Sequence, residues 1–403
     1  MRCRIVLVGV IGKPNVGKST FFSAATLREV AIADFPFTTI KPNVGVAYLR
    51  TQCVHQEMGV VDNPRNSSCV NGTRLIPVKL VDVAGLVEGA AQGRGLGNQF
   101  LDEIRQADAL IHVVDASGST DAEGRKVPPG SQDPLKDIEM VEREFDLWVL
   151  GIIRRDWEKA SRLAEQSGAK ITSSLTARLT GLAVDEKEIE LVMAQLHLKP
   201  EKPSEWSDSD LQNFAKHLRG RSKPSLIAAN KADLPSAMEN IERLRATGRK
   251  VIPCASEAEL LLRRAAERGF LSYTPGDENF RLIQTNTLTR EQLQAIDMVD
   301  RRVMKVFKGT GVQKAIDEAY FSLLGAVVVF PVEDERKLSD KKGNILPDAY
   351  VMRGGSTTLD LARAVHSDLA EGFLYAIDAR TGMRLAADHQ LKNHDIVKIV
   401  SSR

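Results

Sequence analysis

Arg4-Ile5-Val6-Leu7-Val8, followed by Gly12-Lys13-Pro14-Asn15-Val16-Gly17-Lys18-Ser19 and then by Thr20-Phe21-Phe22-Ser23-Ala24-Ala25, reads as a strand, a glycine-bounded loop and a helix in succession. The apolar run is what a parallel strand covered on both faces requires. The loop has the spacing of a phosphate-binding P-loop in its required strand-loop-helix context. Gly12 and Gly17 let the backbone turn its N–H groups inward, so that they and the helix N-terminus face phosphate oxygens. Gly12, Pro14, Asn15, Val16, Gly17, Lys18, Ser19 and Thr20 are therefore expected to line a nucleotide's phosphates. Lys18 is expected to reach the β- and γ-phosphates, and Ser19 to bind Mg²⁺. A glycine-rich surface turn with an incidental lysine is the alternative, and the complete motif with correct flanks outweighs it.

About two hundred residues on, the apolar run Pro224-Ser225-Leu226-Ile227-Ala228-Ala229 leads into Asn230-Lys231-Ala232-Asp233. Runs of this kind end where ligands sit in doubly wound sheets. A carboxylate at Asp233 can accept from guanine N1–H and from the 2-amino group. Adenine offers neither donor and would leave a charged group unpaired, a loss of about 1–3 kcal/mol or more. Alone these four residues are a weak signal, equally compatible with an exposed turn. With the P-loop upstream, they predict GTP binding in preference to ATP.

Between the two lies Val78-Lys79-Leu80-Val81-Asp82-Val83-Ala84-Gly85, a strand ending in an aspartate and then a glycine. Asp82 is expected to hold a Mg²⁺-bound water, and the Gly85 amide to sense the γ-phosphate. The alternative is a buried strand ending in a solvated turn.

Two further segments carry a family resemblance. Asp34-Phe35-Pro36-Phe37-Thr38-Thr39-Ile40-Lys41-Pro42-Asn43-Val44-Gly45 resembles the switch I segment of Obg-family GTPases, and residues 82–117, DVAGLVEGAAQGRGLGNQFLDEIRQADALIHVVDAS, resemble that family's long switch II signature. The Asp-Val-Ala-Gly form points to the YchF-like branch. The resemblance implies that Thr39, rather than Thr38, closes on Mg²⁺ and the γ-phosphate. Members of the YchF branch lack the guanine-type aspartate and are associated with ATP. Asp233 therefore places this chain in a GTP-reading, YchF-like subgroup. Cys254-Ala255-Ser256-Glu257 is an altered form of the usual Ser-Ala loop, with Ala255 and Ser256 expected at the base and the Ser256 amide at guanine O6. Five glycines from Gly85 to Gly97 suit a loop that changes backbone shape when the γ-phosphate leaves.

Leu86 stands where many GTPases place a glutamine that orients the attacking water, and leucine cannot do that. Catalysis is then expected to rest on Lys18, Thr39, the Gly85 amide, Mg²⁺ and something further. In related families an asparagine matching Asn15 coordinates a potassium ion, so K⁺ is a candidate cofactor. A turn-stabilising role for Asn15 is the competing reading.

The 403-residue chain is long enough for two or three domains, and its 43% apolar content and formal charge of +2 indicate neither disorder nor strong attraction to polyanions. No run of eighteen apolar residues occurs, and the first strand starts almost at once. These features predict a cytoplasmic protein with no membrane partner and no DNA partner. Cys3, Cys53, Cys69 and Cys254 show no regular spacing and are read as thiols. Cys53, His55 and Cys69 lie together in an insert between the switch segments. They make a partial metal site without a convincing fourth ligand, and a surface hairpin around Asn71-Gly72 is the favoured reading.

Asp82 and Asn230 are about 150 positions apart, far more than one βαβ unit needs. Residues 118–133 read as a mobile polar loop. The Glu/Lys/Arg/Leu/Ala-rich stretch after it has helical spacing. Arg154, Arg155, Lys159 and Arg162 on it could touch RNA, with a solvated helix face as the favoured alternative. The last segment opens with the strand Ala326–Val332, continues with a helix capped by Thr358, and ends with the strand Ile396–Val400. It resembles a TGS domain, a β-grasp module that the resemblance associates with RNA or ribosomes; packing or dimerisation is the alternative.

The expected architecture is an α/β P-loop NTPase G domain, a mostly parallel doubly wound sheet with a helical insertion and a C-terminal β-grasp (TGS) domain. Its parts are the first part of the G domain (1–133), the insertion (134–222), the second part with connecting helices (223–321) and the TGS domain (322–403). The expected function is a GTP-hydrolysing switch bound to the ribosome or RNA through the TGS domain and the insertion. A scaffold with negligible hydrolysis and a YchF-like ATPase are the alternatives. A P-loop kinase is disfavoured by Asp233 and the two switch segments.

Overall fold

The computed structural model describes residues 6–26, 44–83, 85–86, 88–90, 103–182, 184–284 and 286–402. The segments 27–43 and 91–102, which hold Thr38, Thr39, most of the switch I signature and the middle of the switch II signature, lie outside the described residues. The chain gathers into two compact units, one of Gly9–Ser19 and Val81–Cys254, the other of Met1–Val8, Thr20–Leu80 and Ala255–Arg403.

Strands β1 (Leu7–Ile11), β2 (Val44–Gln52), β3 (Ser68–Val70), β4 (Thr73–Asp82), β5 (Ala109–Asp115), β6 (Ser225–Asn230) and β7 (Val251–Pro253) hydrogen-bond in the order β2-β4-β1-β5-β6-β7, with β3 beside β4. β5, β6 and β7 run parallel, and all seven residues of β5 are buried. That explains why β5 and β6 read as continuous apolar runs rather than alternating ones. β1 runs past Gly9 to Ile11, further than the apolar pattern to Val8 indicates. A Cβ at Gly9 would lie 3.1 Å from the Ala107 Cβ, so the glycine there serves close packing within a strand.

Helices follow from Pro134 to Ser222. The first, Pro134–Arg154, starts at Asp133, whose carboxylate accepts from the Leu135 amide, with Pro134 in the first turn. It packs on Asp208–Ser222, and Asp146 pairs with Arg219 at 2.5 Å between them. Trp157, Trp206 and Phe214 pack in a row as tilted rings with centroids 5.3 and 5.7 Å apart. Of the four cations considered for RNA, Arg154 pairs with Asp208 and Arg162 with Glu158, which favours the solvated-face reading for those two.

The C-terminal sheet is mixed, in the order β11-β10-β14-β12-β13, where β10 is Val327–Val332, β11 Tyr350–Met352, β12 Phe373–Asp378, β13 Arg384–Leu385 and β14 Asp395–Ser401. β10 and β14 are parallel, whereas β11 and β12 pair antiparallel to their neighbours. Its core is Val329, Met352, Leu361, Ala376, Leu391 and Val397, closed by the helix Thr358–Val365. The N-cap of that helix is Thr357, not Thr358. Thr357 Oγ1 accepts from the Asp360 amide, and the Asp360 side chain reaches back to the Thr357 amide, a complete capping box. Thr358 is buried and its hydroxyl donates to the Ala386 carbonyl at 2.6 Å. Two adjacent threonines look alike in sequence, and the backbone turn decides between them.

Candidate nucleotide site

Each expected site segment in the first unit sits where a strand ends. The P-loop follows β1, Asp82 closes β4, and Asn230 closes β6. Gly12 has φ +153°, and a Cβ there would lie 2.4 Å from the Val113 carbonyl oxygen. Gly17 has φ +90°, and a Cβ there would lie 2.2 Å from Asn230 Nδ2. Both positions therefore demand glycine on conformation and on space.

The contact that forbids a side chain at Gly17 also joins the two stretches of sequence. Asn230 Nδ2 donates to the Val16 carbonyl at 2.9 Å, and Asn230 is 3% exposed. The Asn230–Asp233 segment and the P-loop are thus one structure. Lys231 adopts φ +59° and sends its ammonium to Asp115 Oδ2 at 2.8 Å and Ser119 Oγ at 3.1 Å. The Ala232 amide donates to the Cys254 carbonyl at 3.0 Å, tying the segment to the end of β7. With its neighbours so fixed, the half-buried Asp233 carboxylate takes no partner among the described residues.

At the phosphate end, Lys18 Nζ pairs with Asp82 Oδ1 at 2.5 Å. Ser19 lies exposed in the first turn of α1 (Lys18–Thr26). Gly85 sits against Pro14, where a Cβ would lie 3.3 Å from Pro14 Cγ, and the Leu86 amide donates to the Gly12 carbonyl at 3.2 Å. The Leu86 side chain is buried, so it serves packing rather than water positioning. A carboxylate and a hydroxyl are hard oxygen donors of the kind Mg²⁺ takes, so Asp82 and Ser19 fit the expected ion. Thr39, the third expected ligand, lies outside the described residues.

Two buried charged residues that hold the site's loops were not foreseen in the sequence. Asp115, at the end of β5, is 1% exposed and accepts from the Ser117 amide at 3.0 Å, from the hydroxyls of Ser117, Ser119 and Thr120 at 2.5–2.9 Å, and from Lys231. Burial alone raises its carboxyl pKa, but the bonds from Lys231 and Ser117 win and hold it below the ordinary carboxylate range. Lys13 is also buried. Its ammonium meets the Thr120 and Asp121 carbonyls at 2.8 Å each and Asp137 Oδ2 at 2.6 Å. Asp137 is pushed upward by burial against the pull of Lys13. Asn15, at φ +61°, donates from Nδ2 to the Gly124 carbonyl at 2.8 Å.

Those bonds correct one expectation. Residues 118–133 do not form a mobile loop: they are pinned across the P-loop by Lys13 and Asn15 and fastened internally by the Thr120–Lys126 bridge. Polar composition and Pro128-Pro129-Gly130 signalled a loop correctly, but a polar loop is ordered when its carbonyls find buried donors. The sequence signals for this were two side-chain donors within the motif, Lys13 and Asn15.

Ala255 and Ser256 belong to the other unit. The Ala255 amide donates to the Thr310 carbonyl at 2.8 Å, while Ser256 begins the helix Ser256–Glu267 and is buried. The Ala255 amide is thus committed to a backbone partner, and the Ser256 amide lies in a helix's first turn.

A phosphate loop on β1 bonded to an Asn-Lys-x-Asp segment on β6 defines the GTPase class of P-loop proteins. Comparison with known proteins gives the same class. Residues 7–144 match a family model described as 50S ribosome-binding GTPase, residues 228–334 match the Obg-like GTPase YGR210-like, G4 motif-containing domain, and residues 342–401 match the TGS domain. A GTP-binding protein of Methanocaldococcus jannaschii is 48% identical over 99% of this chain and all of its own length. The ribosome-binding ATPase YchF of Bacillus subtilis is 28% identical over 91% of this chain and 87% of its own. The crystal structure of a GTP-binding protein from Pyrococcus horikoshii OT3 superposes with a TM-score of 0.77 at 42% identity, covering 98% of this chain and 100% of that one. The chain belongs to the Obg-like, YchF-type family of GTPases, with a P-loop G domain, a YGR210-like G4 motif-containing domain and a C-terminal TGS domain.

Proposed function

We propose that this protein is a cytoplasmic, Mg²⁺-dependent GTP-hydrolysing switch that associates with the ribosome or its RNA. The observation that carries the GTP part is the hydrogen bond from Asn230 to Val16, because it sets the carboxylate of Asp233 at a fixed offset from the phosphate loop. Adenine gives that carboxylate no donor, which disfavours an ATPase like YchF. Lys18 exchanges its Asp82 partner for the β- and γ-phosphates, and the amides between Gly12 and Ser19 share the remaining charge. Magnesium, when bound, neutralises charge on the phosphates, and Ser19, Asp82 and Thr39 are the residues that would hold it. The Gly85 amide reads the γ-phosphate.

A buried Leu86 in place of a water-orienting side chain supports slow intrinsic turnover, raised by K⁺ or by a large partner. With Nδ2 of Asn15 bonded to Gly124, its Oδ1 is the atom for a cation. Equal GTP turnover in sodium and potassium buffers would remove the potassium role while leaving the switch intact.

Ribosome association rests on the names of the relatives and on the TGS domain. Arg155 and Lys159 of the insertion are its proposed RNA-facing cations. Ribosome co-sedimentation with GDP, with a non-hydrolysable GTP analogue and without nucleotide is the test. Pelleting that depends on the triphosphate is expected of a switch; equal pelleting in all three, with no single-turnover hydrolysis on ribosomes, would favour a scaffold.

A further inference from the structure

The insert carrying Cys53, His55 and Cys69 closes around a fourth group. β2 ends at Gln52, Cys53 follows, and His55 opens α2 (His55–Met58), a single turn ended by Gly59 at φ +65°. The chain then passes Asp62 in an open loop and returns through Cys69 on β3, which makes the Asn71-Gly72 hairpin with β4 and faces Arg74 across it. The expected hairpin is therefore present, and it delivers the missing ligand. One sulfur, nitrogen or oxygen atom from each of Cys53, His55, Asp62 and Cys69 lies within 4.8 Å of all the others.

The separations have the size of a small tetrahedron. Cys53 Sγ is 3.2 Å from Asp62 Oδ2, Cys69 Sγ is 3.5 Å from His55 Nδ1, and His55 Nδ1 is 3.4 Å from Asp62 Oδ2. Metal–sulfur bonds of about 2.3 Å and metal–nitrogen or metal–oxygen bonds of about 2.0–2.1 Å at tetrahedral angles give edges of about 3.3–3.8 Å. We propose that Cys53, His55, Asp62 and Cys69 form a structural zinc site. Two thiolates with an imidazole and a carboxylate, all four positions filled by protein, match zinc rather than calcium or magnesium, which take oxygen alone.

The surroundings give the site its purpose. Arg74 is fully buried and donates to Asp62 Oδ2 at 2.9 Å, to Ser67 Oγ at 2.8 Å and to the Leu346 carbonyl at 2.7 Å. Zinc with two thiolates and one carboxylate carries a net −1, which the Arg74 cation cancels. The loop beyond Asp62 runs along the C-terminal segment: Asn63 and Arg65 amides donate to the Ile345 and Pro347 carbonyls at 2.8 and 2.7 Å, and Asn66 Oδ1 accepts from the Ala349 amide at 2.9 Å. Residues 53–70 contain one helical turn and a three-residue strand, too little apolar surface to hold such a loop unaided. The zinc fastens the loop that residues 345–349 bind, and it is independent of the nucleotide site.

The test uses the full chain purified under reducing conditions without chelator. Metal analysis is expected to find about one zinc per chain. Cobalt substitution is expected to give thiolate-to-cobalt charge-transfer absorption with tetrahedral d–d bands. Cys69→Ser and Asp62→Asn are expected to weaken zinc retention at least tenfold, whereas Cys254→Ser, elsewhere in the chain, retains it. GTP affinity stays within twofold after zinc removal, which separates this site from the proposed function. Should a variant fail to fold, the cobalt spectrum of the unaltered chain decides. Less than about a tenth of an equivalent of zinc together with no thiolate–cobalt band would overturn the proposal, as would a Cys53–Cys69 disulfide found by mass spectrometry in protein freshly purified with reductant.

Discussion

Lys18, Asp233 and Gly17 divide the proposed nucleotide site between them, and each yields its own measurement. Lys18 is the motif's point charge for the phosphates, and Lys18→Ala is expected to weaken GTP and GDP binding at least a hundredfold by calorimetry, about 3 kcal/mol or more for a desolvated charged contact. Asp233→Asn leaves a side chain of the same shape that no longer accepts two guanine donors. The preference for GTP over ATP is expected to fall by about 1–3 kcal/mol, while affinity for xanthosine triphosphate, whose 2-carbonyl accepts from the new amide, rises. An unchanged base preference would refute the assignment of Asp233. At Gly17 the backbone lies at φ +90° and Asn230 Nδ2 stands 2.2 Å from a Cβ, so Gly17→Ala must displace the asparagine that holds Val16. Loss of binding together with a loss of about 1–3 kcal/mol in stability is expected there, from the strained backbone and the displaced buried amide.

At the scale of elements, helix Val312–Glu318 packs on β2 through an acid. Asp317 accepts from the Arg50 amide at 2.9 Å and from Gln313 Nε2 at 2.8 Å, and burial pushes its carboxyl up to about 7. Its unfolded value is about 3.9. The folded state therefore binds this proton more tightly. The contribution is full below pH 4 and declines as pH rises through 7, because only the unfolded chain ionises the group over that interval. Asn at this position keeps both accepted bonds without the charge. Asp317→Asn is expected to flatten the stability profile between pH 4 and 7 and to stabilise the protein by roughly 1–3 kcal/mol at pH 8; parallel urea-unfolding profiles for the two proteins would contradict this. The capping box at Thr357 makes a second element-scale case. Thr357→Ala is expected to cost about 1 kcal/mol in chemical denaturation.

Over the whole molecule, single buried polar side chains do the joining between distant parts of the chain. Arg74 ties residues 62 and 67 to 346, and Asn230 ties β6 to the P-loop. Arg74→Ala removes a fully buried cation from the half-buried Asp62 carboxylate and leaves the Leu346 carbonyl without its donor, and a loss of about 2–4 kcal/mol, seen as a lower thermal midpoint, is expected. The sequence alone determined the strand-loop-helix of the phosphate loop, the Asn-Lys-x-Asp segment at the end of β6 and the β-grasp tail. Each is written in contiguous residues whose spacing follows backbone geometry. Tertiary structure alone decided that Thr357 rather than Thr358 caps its helix, that residues 118–133 are held by Lys13 and Asn15, that Asp115 anchors Lys231, and that Asp62 completes the group begun by Cys53, His55 and Cys69. Those four features depend on which polar group meets which partner once the backbone has turned and folded, some within one turn and some across long stretches of chain. No periodicity records that pairing, because it is fixed by folding and by the cost of leaving a buried polar group unsatisfied.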